Sequence, residues 1–377
     1  MKVLQILHHS QSDYTSEIRF WPDDWHAQVA RELLNWTDKY EVECWRPERR
    51  AKQLITGEED GINYKIFPSV KLTPKREYSL SMLKALKKLT RKEEILIHLQ
   101  GIHNDLAYLI CLFFPNVPIV GSHLGGAPYS FSNLGFFYYL PMSLMERKAL
   151  RNMDTILASS RCISTFLARF NPNVLLCMGV GVNFERIKPL RKNEARRILN
   201  LPENKKILLH VGRFNFGKGL DIILDAFKIL RHKYEVELVV IGGQRTDPLY
   251  NELVDSGAIV KERIPHEALL PYYSAADVYL LPWFGKNKKS ESLWLFGGIG
   301  VAPLESLACG TPVIGQNLKH FLGDKDELDK IGKIPKDSDD VLKCITELFE
   351  TPPPYQISRE IARKYYDCLL YTSDAAY

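Results

Sequence analysis

The sequence predicts an α/β protein built from two Rossmann-like parallel-sheet domains facing across a cleft. Three observations carry that expectation. Short apolar runs alternate with longer amphipathic segments through most of the chain, the pattern of βα units wound into parallel sheets. The alternation weakens between Cys177 and Asn200, where Lys188, Pro189, Arg191, Lys192 and Asn193 suit a connection, and it restarts at Lys206. At 377 residues the chain is also long enough to bury two separate cores. The expected domains are 1–185 and 186–350, with 351–367 beginning a C-terminal helix.

In chain order, the first-half strands are expected at 2–7, 41–45, 64–67, 95–99, 119–122 and 155–158. The second half opens with a strand at 206–211, followed by a helix whose Leu220, Ile223, Leu224, Phe227 and Leu230 fall on one face. Further strands are expected at 237–241, 278–281 and 312–314. The segment 297–314 joins a glycine loop, a short helix and a buried strand. Pro303 suits the first helical turn and Gly310 the position just past the helix end. The N-terminus of that helix faces the glycines, where free N–H groups and the positive dipole end receive a phosphate or a sugar hydroxyl.

Composition narrows the function. A hydrophobic share of 45% with 25% charged residues is ordinary for a globular protein. A net charge of +5 gives mild attraction to phosphate-bearing substrates or anionic lipid and falls short of a nucleic-acid binder. The seven cysteines (Cys44, Cys111, Cys162, Cys177, Cys309, Cys344 and Cys368) are scattered without a Cys-x-x-Cys pair. That usage reads as reduced thiols in a cytoplasmic protein. The opening residues turn polar too soon for a signal peptide, and the longest apolar run, 106–114, is far below the ~18 residues of a membrane span.

Two clusters carry chemistry. The loop from Gly212 to Gly219 lies between a strand and a helix, at the carboxyl end of a parallel sheet. Arg213 there offers a planar fork of donors and Lys218 a mobile point charge, a pair suited to two adjacent phosphates and to the charge developing on a diphosphate leaving group. Taken alone, the loop equally fits a solvated surface turn. Glu305, third in its helix if Pro303 is first, either caps the helix or accepts hydrogen bonds from vicinal ribose hydroxyls, two acceptor oxygens matching two donors.

The run Gly-Arg-x4-Lys-Gly, then Ile264-Pro265-His266 before Leu270-x2-Tyr273-x2-Ala276-Asp277-Val278, then Gly-x-Gly-x2-Pro-Leu-Glu-x2-Ala-Cys-Gly-Thr-Pro-Val-Ile, resembles retaining glycosyltransferases of family 4 (glycosyl transferases group 1), which have the GT-B fold. The resemblance covers roughly residues 205–315. It implies that Arg213 and Lys218, with Gly212, bind the donor diphosphate, and that Glu305, the second glutamate of a Glu-x7-Glu motif, binds ribose. Gly298 and Gly300 would present the N–H groups of Ile299 and Val301 to donor sugar or phosphate, and Arg263 and Ile264 would line a nucleobase pocket. The first glutamate of the motif is replaced by Gly297; Glu291, in the lengthened loop 285–296, is the carboxylate that could fold back in its place.

The first half resembles the family more weakly, as suits the acceptor domain. His123, which follows the strand 119–122 and precedes Gly125-Gly126, matches the family's histidine near the donor sugar. Trp21, Trp25 and His26 offer a stacking and hydrogen-bonding surface for an acceptor, with His98 and His103 weaker candidates. The segment 76–92, from Arg76 to Lys92, sets Leu80, Leu83, Leu86 and Leu89 at helical spacing among cations. An outer helix of the first domain is the plainer reading; the other is a basic amphipathic helix docking on a membrane. Relatives end in a long helix crossing back to the first domain, which 361–367 begins, and 368–377 reads as a non-native tail.

The implied activity is transfer of a hexose-type sugar from a UDP-, GDP- or ADP-sugar to a saccharide or lipid-linked acceptor, with retention. No metal and no cofactor are expected, the cations doing the work of a divalent ion. The expected location is cytoplasmic, at most peripheral at the inner face of the plasma membrane. A non-catalytic nucleotide-sugar or glycan binder and a sugar-nucleotide epimerase are the alternatives on this fold. A nicotinamide-dependent dehydrogenase is disfavoured, because no Gly-x-Gly-x2-Gly follows the first strand of either domain.

Overall fold

The computed structural model describes residues 1–8, 18–20, 25–36, 39–73, 76–124, 136–176, 181–214, 216–282 and 298–367. They form two compact units, Met1–Gly179 and Val180–Tyr377.

The strands of the first unit are β1 (Lys2–Leu7), β2 (Glu41–Glu48), β3 (Ile55–Glu59), β4 (Ile62–Pro68), β5 (Val70–Thr73), β6 (Arg76–Tyr78), β7 (Ile95–Gln100), β8 (Ile119–Ser122), β9 (Thr155–Ala158) and β10 (Val174–Leu176). Eight of them make one sheet in the order β10-β9-β8-β7-β1-β2-β4-β3. All pairs are parallel except β3 with β4. Central β1 is buried along almost its whole length, which is why Val3, Leu4, Ile6 and Leu7 read as an apolar run. The strand β3 was not anticipated. It folds back on β4 through Asp60 and Gly61, both at positive φ, the two-residue turn that Asp-Gly favours.

The segment 76–92 departs from the expected helix. Arg76–Tyr78 is β6, paired antiparallel with β5, and the helix runs only over Leu80–Leu89. Ser79 sets the boundary, since its side chain accepts from the Met82 N–H and so caps the helix. Met82 and Leu86 are buried, whereas Leu80, expected on the sheet side, is 72% exposed.

The second unit holds β11 (Lys206–Val211), β12 (Val236–Gly243), β13 (Ile259–Glu262), β14 (Val278–Leu281), β15 (Val313–Gly315) and β16 (Gly332–Lys333). The order is β13-β12-β11-β14-β15-β16, all parallel. In this Rossmann order the strand sequence reverses between β11 and β14, and sheets of this kind bind ligands beyond the carboxyl ends of the strands at such a reversal. The helix Leu220–Leu230 buries the predicted face of Leu220, Ile223, Leu224, Phe227 and Leu230, each contributing about 1.5–3 kcal/mol.

The break between units lies after Gly179 rather than at 185, because residues 182–187 are held by the last helix, Tyr355–Tyr366. Val182 bridges Asp367, and Arg359 donates to the carbonyls of Phe184 (2.7 Å) and Ile187 (2.9 Å). The region expected as a connection also contains a helix, Lys192–Ile198. Its buried Arg196 donates to the carbonyls of Ala275 (3.1 Å) and Glu203 (2.7 Å) and to Asp277 (2.7 Å), which ties it to the second unit. Residues 368–377 lie outside the described residues.

Candidate functional site

The loop after β11 is pinned by Phe214, whose ring is fully buried in the core and packs where a Cβ on Gly243 would stand. Glycine at 243 permits that approach, and the anchor leaves neighbouring Arg213 exposed to solvent. Lys218 closes the short 3-10 turn Phe216–Lys218 and is partly buried. Burial first, and then the Arg213 charge, pull its pKa down to about 8. The Arg213 charge is thus felt at Lys218, a repulsion of the kind that a bound anion would relieve. Beneath the loop, His210 lies fully buried in β11 with its Nδ1 2.9 Å from the carbonyl of Leu280; burial pushes its pKa down to about 4. With that Nδ1 as donor, His210 is a neutral link between the two strands at the reversal point.

On the other side of this crevice, the glycine loop leads into the helix Val301–Ala308. The helix starts two residues earlier than Pro303 suggests. Pro303 is its third residue, still within the first turn where a missing N–H costs nothing. Glu305 is consequently the fifth residue, a turn inside, and is not an N-terminal cap. Gly310 ends the helix at positive φ. Its N–H donates to Leu307 O and that of Thr311 to Ser306 O, both at 2.9 Å, a closed C-terminal motif. Gly298 and Ile299 precede Gly300 at the helix start, and Asn317 Nδ2 donates to the Ile299 carbonyl, which fixes the loop. Val301 is exposed.

The sequence reading gave no role to His266. It opens the 3-10 turn His266–Leu269, and its Nε2 is in direct hydrogen-bond contact with Glu305 Oε1. The Glu305 side chain is 5% exposed and that of His266 66%. The hydrogen bond to Glu305 raises the imidazole pKa above its ordinary 6.5, against partial burial. Arg263 and Ile264 lie just before this turn, and Arg263 lines a depression of about 530 Å³ with Gly243, Gln244, Arg245, Thr246 and Glu262.

In the first unit, His123 is fully buried just past β8, with Nδ1 3.0 Å from Ser159 Oγ. Its ring meets His103 edge-on at 5.1 Å. His103 Nδ1 is 3.1 Å from Glu146 Oε1, which also accepts from Tyr108 Oη at 2.5 Å. This polar cluster was not foreseen, since its members come from widely separated segments. His98 sits within β7 with its Nε2 2.7 Å from Ser122 Oγ, and burial lowers its pKa to about 4. Trp25 and His26 open the helix Trp25–Trp36, but their side chains, like Trp21, Glu291 and Gly297, lie outside the described residues.

The family model described as glycosyl transferases group 1 matches residues 191–365. Among curated proteins, the D-inositol 3-phosphate glycosyltransferase of Thermobifida fusca (strain YX) is 33% identical over 149 residues, 36% of this chain and 32% of its own length. The alpha-monoglucosyldiacylglycerol synthase of Streptococcus pneumoniae is 30% identical over 197 residues, 48% of this chain and 42% of its own length. The chain thus spans less than half the length of these relatives. Among solved structures, sucrose-phosphate synthase from Thermosynechococcus elongatus matches with a TM-score of 0.71 at 18% identity, covering 99% of this chain and 96% of that one. The Anabaena protein HepE in complex with UDP matches with a TM-score of 0.67 at 14% identity, covering 100% and 98%. At those identities the likeness is one of fold, two parallel α/β units of the GT-B class.

Proposed function

We propose that this GT-B-fold protein, whose residues 191–365 match the glycosyl transferases group 1 family, transfers a hexose from a nucleoside diphosphate sugar to a saccharide or lipid-linked acceptor. One observation carries the reading. The second unit sets two cations, one with its pKa pulled down to about 8, in the loop after β11, and a glycine-led helix that carries the buried carboxylate Glu305 between the neighbouring strand β14 and β15. That set fits a diphosphate followed by a ribose.

In this reading Arg213 and Lys218 neutralise the departing diphosphate, and the N–H groups at the start of Val301–Ala308 share that load. The bond between the anomeric carbon and the diphosphate breaks, the acceptor oxygen bonds to the same face, and the acceptor proton leaves with the diphosphate oxygen. The configuration is retained without an enzymatic nucleophile. Because the cations carry the charge neutralisation, no divalent ion is needed. Arg263 and Ile264 border the nucleobase, and His123 is the candidate hydrogen-bonding group for the donor sugar.

A peripheral membrane location is favoured by one feature of the first unit. Val70 (64% exposed) and Leu72 (66%) on β5 and Leu80, first residue of the helix that bears the exposed Lys84, Lys87 and Lys88, leave apolar side chains in solvent near a run of cations in the sequence. Among the described residues no helix is long and apolar enough to cross a membrane. Co-sedimentation with anionic but not neutral vesicles, lost in Val70→Asp/Leu72→Asp, is the expected result; equal sedimentation of that variant refutes it.

The activity is tested by incubating UDP-, GDP- and ADP-glucose with a panel of saccharide acceptors, with and without chelator. Nucleoside diphosphate release and the anomeric proton coupling of the product are read by NMR. Turnover of one donor to an α-linked product, unchanged by chelator, is expected. Release of sugar with inversion, or turnover that the chelator abolishes, refutes the mechanism, and absence of turnover with tight donor binding turns the reading to a non-catalytic binder.

A further inference from the structure

We infer that His266 is a guard on Glu305, holding the carboxylate that takes the donor ribose and having to release it before a nucleotide binds. The inference rests on the donor-site reading above and adds to it a residue with a defined part in donor entry.

Glu305 sits in a helix whose surroundings remove it from water, and a carboxylate so buried requires a partner. Its partner comes from outside the helix. His266 lies 39 positions earlier in the chain, on a one-turn segment that follows Pro265, with two thirds of its side chain in solvent. Such a side chain swings into water at small cost. The vicinal hydroxyls of a ribose are two donors and use both carboxylate oxygens, yet Oε1 is the atom that His266 holds. The two occupants compete for one oxygen.

The charges around the pair favour the closed form when the imidazole is protonated. Glu305 and Glu267 stabilise the imidazolium and Arg186 opposes it. Among the described residues, Tyr273, Tyr279 and Cys309 also feel the Glu305 charge; burial raises the pKa of each, so all three are neutral near pH 7. Above the raised pKa, His266 loses its charge and only a neutral hydrogen bond guards the site. Between 6.5 and that pKa, displacing His266 returns it to its ordinary value and releases a proton. Donor affinity consequently rises with pH in that window and is level below it.

Isothermal titration of the full chain with UDP-, GDP- and ADP-glucose across pH 5.5–7.5 tests this, because a sugar-linked diphosphate takes up no proton there and Lys218 keeps its own. In the wild type, affinity is expected to rise with pH by up to about tenfold per pH unit above 6.5. His266→Gln keeps a neutral donor to Glu305 and cannot titrate, so its affinity is level and exceeds the wild type at pH 6. His266→Lys keeps a permanent charge, so it binds weakly throughout. A His266→Gln variant with the wild-type slope, or with weaker binding at every pH, overturns the inference while leaving the donor site standing. Failure of all three donors to bind the wild type overturns the donor reading instead.

Discussion

Lys218 offers the sharpest handle on the proposed diphosphate site, because its proton is loosely held in the free protein. Burial and the adjacent Arg213 bring its pKa to about 8. A diphosphate between the two cations reverses both effects and holds the proton to higher pH. Binding therefore takes up a proton above pH 8, and donor affinity falls as pH rises through that value. A group with a pKa of about 8 is about ten-to-one deprotonated at pH 9, so affinity at pH 9 is expected to be about tenfold below its plateau. Titration calorimetry from pH 7 to 9.5 reads this directly. Lys218→Arg keeps the charge and should lack this fall, whereas Lys218→Met should lose about 10–100-fold at pH 7, the worth of a charge-assisted hydrogen bond. The same Lys218→Met change removes a crowded cation from the free protein, so it should raise Tm by ~2–4 °C. A wild-type profile that superimposes on that of Lys218→Arg up to pH 9.5 refutes the reasoning.

Glu305→Gln should weaken binding of a ribonucleotide sugar by about 5–50-fold and leave the 2′,3′-dideoxy analogue unaffected; equal losses for both analogues would detach the residue from ribose. Gly310→Val should cost on the order of 1–3 kcal/mol in urea unfolding, since it puts a branched side chain at positive φ against the Tyr355 ring, and no change would contradict the closed helix end. His123→Ala should lower kcat about 100-fold with affinity for the free nucleoside diphosphate unchanged, measured by steady-state turnover and calorimetry on the same preparation; an equal loss of nucleoside diphosphate affinity would make its part a different one.

What was legible in the sequence follows from how each element is buried. The strands β1, β11 and β14 are covered on both faces, so their apolar runs are continuous and read cleanly. The strand β3 ends in the exposed Glu58 and Glu59, which carry no such run, and its only signal was the Asp60-Gly61 turn. The hairpin β5–β6 was hidden because the leucine spacing of the following helix was extended back past the Ser79 cap. Arg213, Lys218 and the glycine loop were readable because each cluster is local in sequence. The contact of His266 with Glu305 was not, since only the topology brings the turn after β13 beside the helix that precedes β15. His103, Glu146 and Tyr108 were obscure for the same reason: the residues that orient one another come from two different helices and a loop.

The central claim is that the strand reversal of the second unit binds a nucleoside diphosphate sugar through Arg213 and Lys218. It is tested most directly by calorimetric binding of UDP-, GDP- and ADP-glucose to the wild type and to Arg213→Ala/Lys218→Met at pH 7.5. The account predicts that at least one donor binds the wild type and that the double variant, with the same unfolding profile, loses at least about 100-fold. Equal affinity in the two proteins would contradict it.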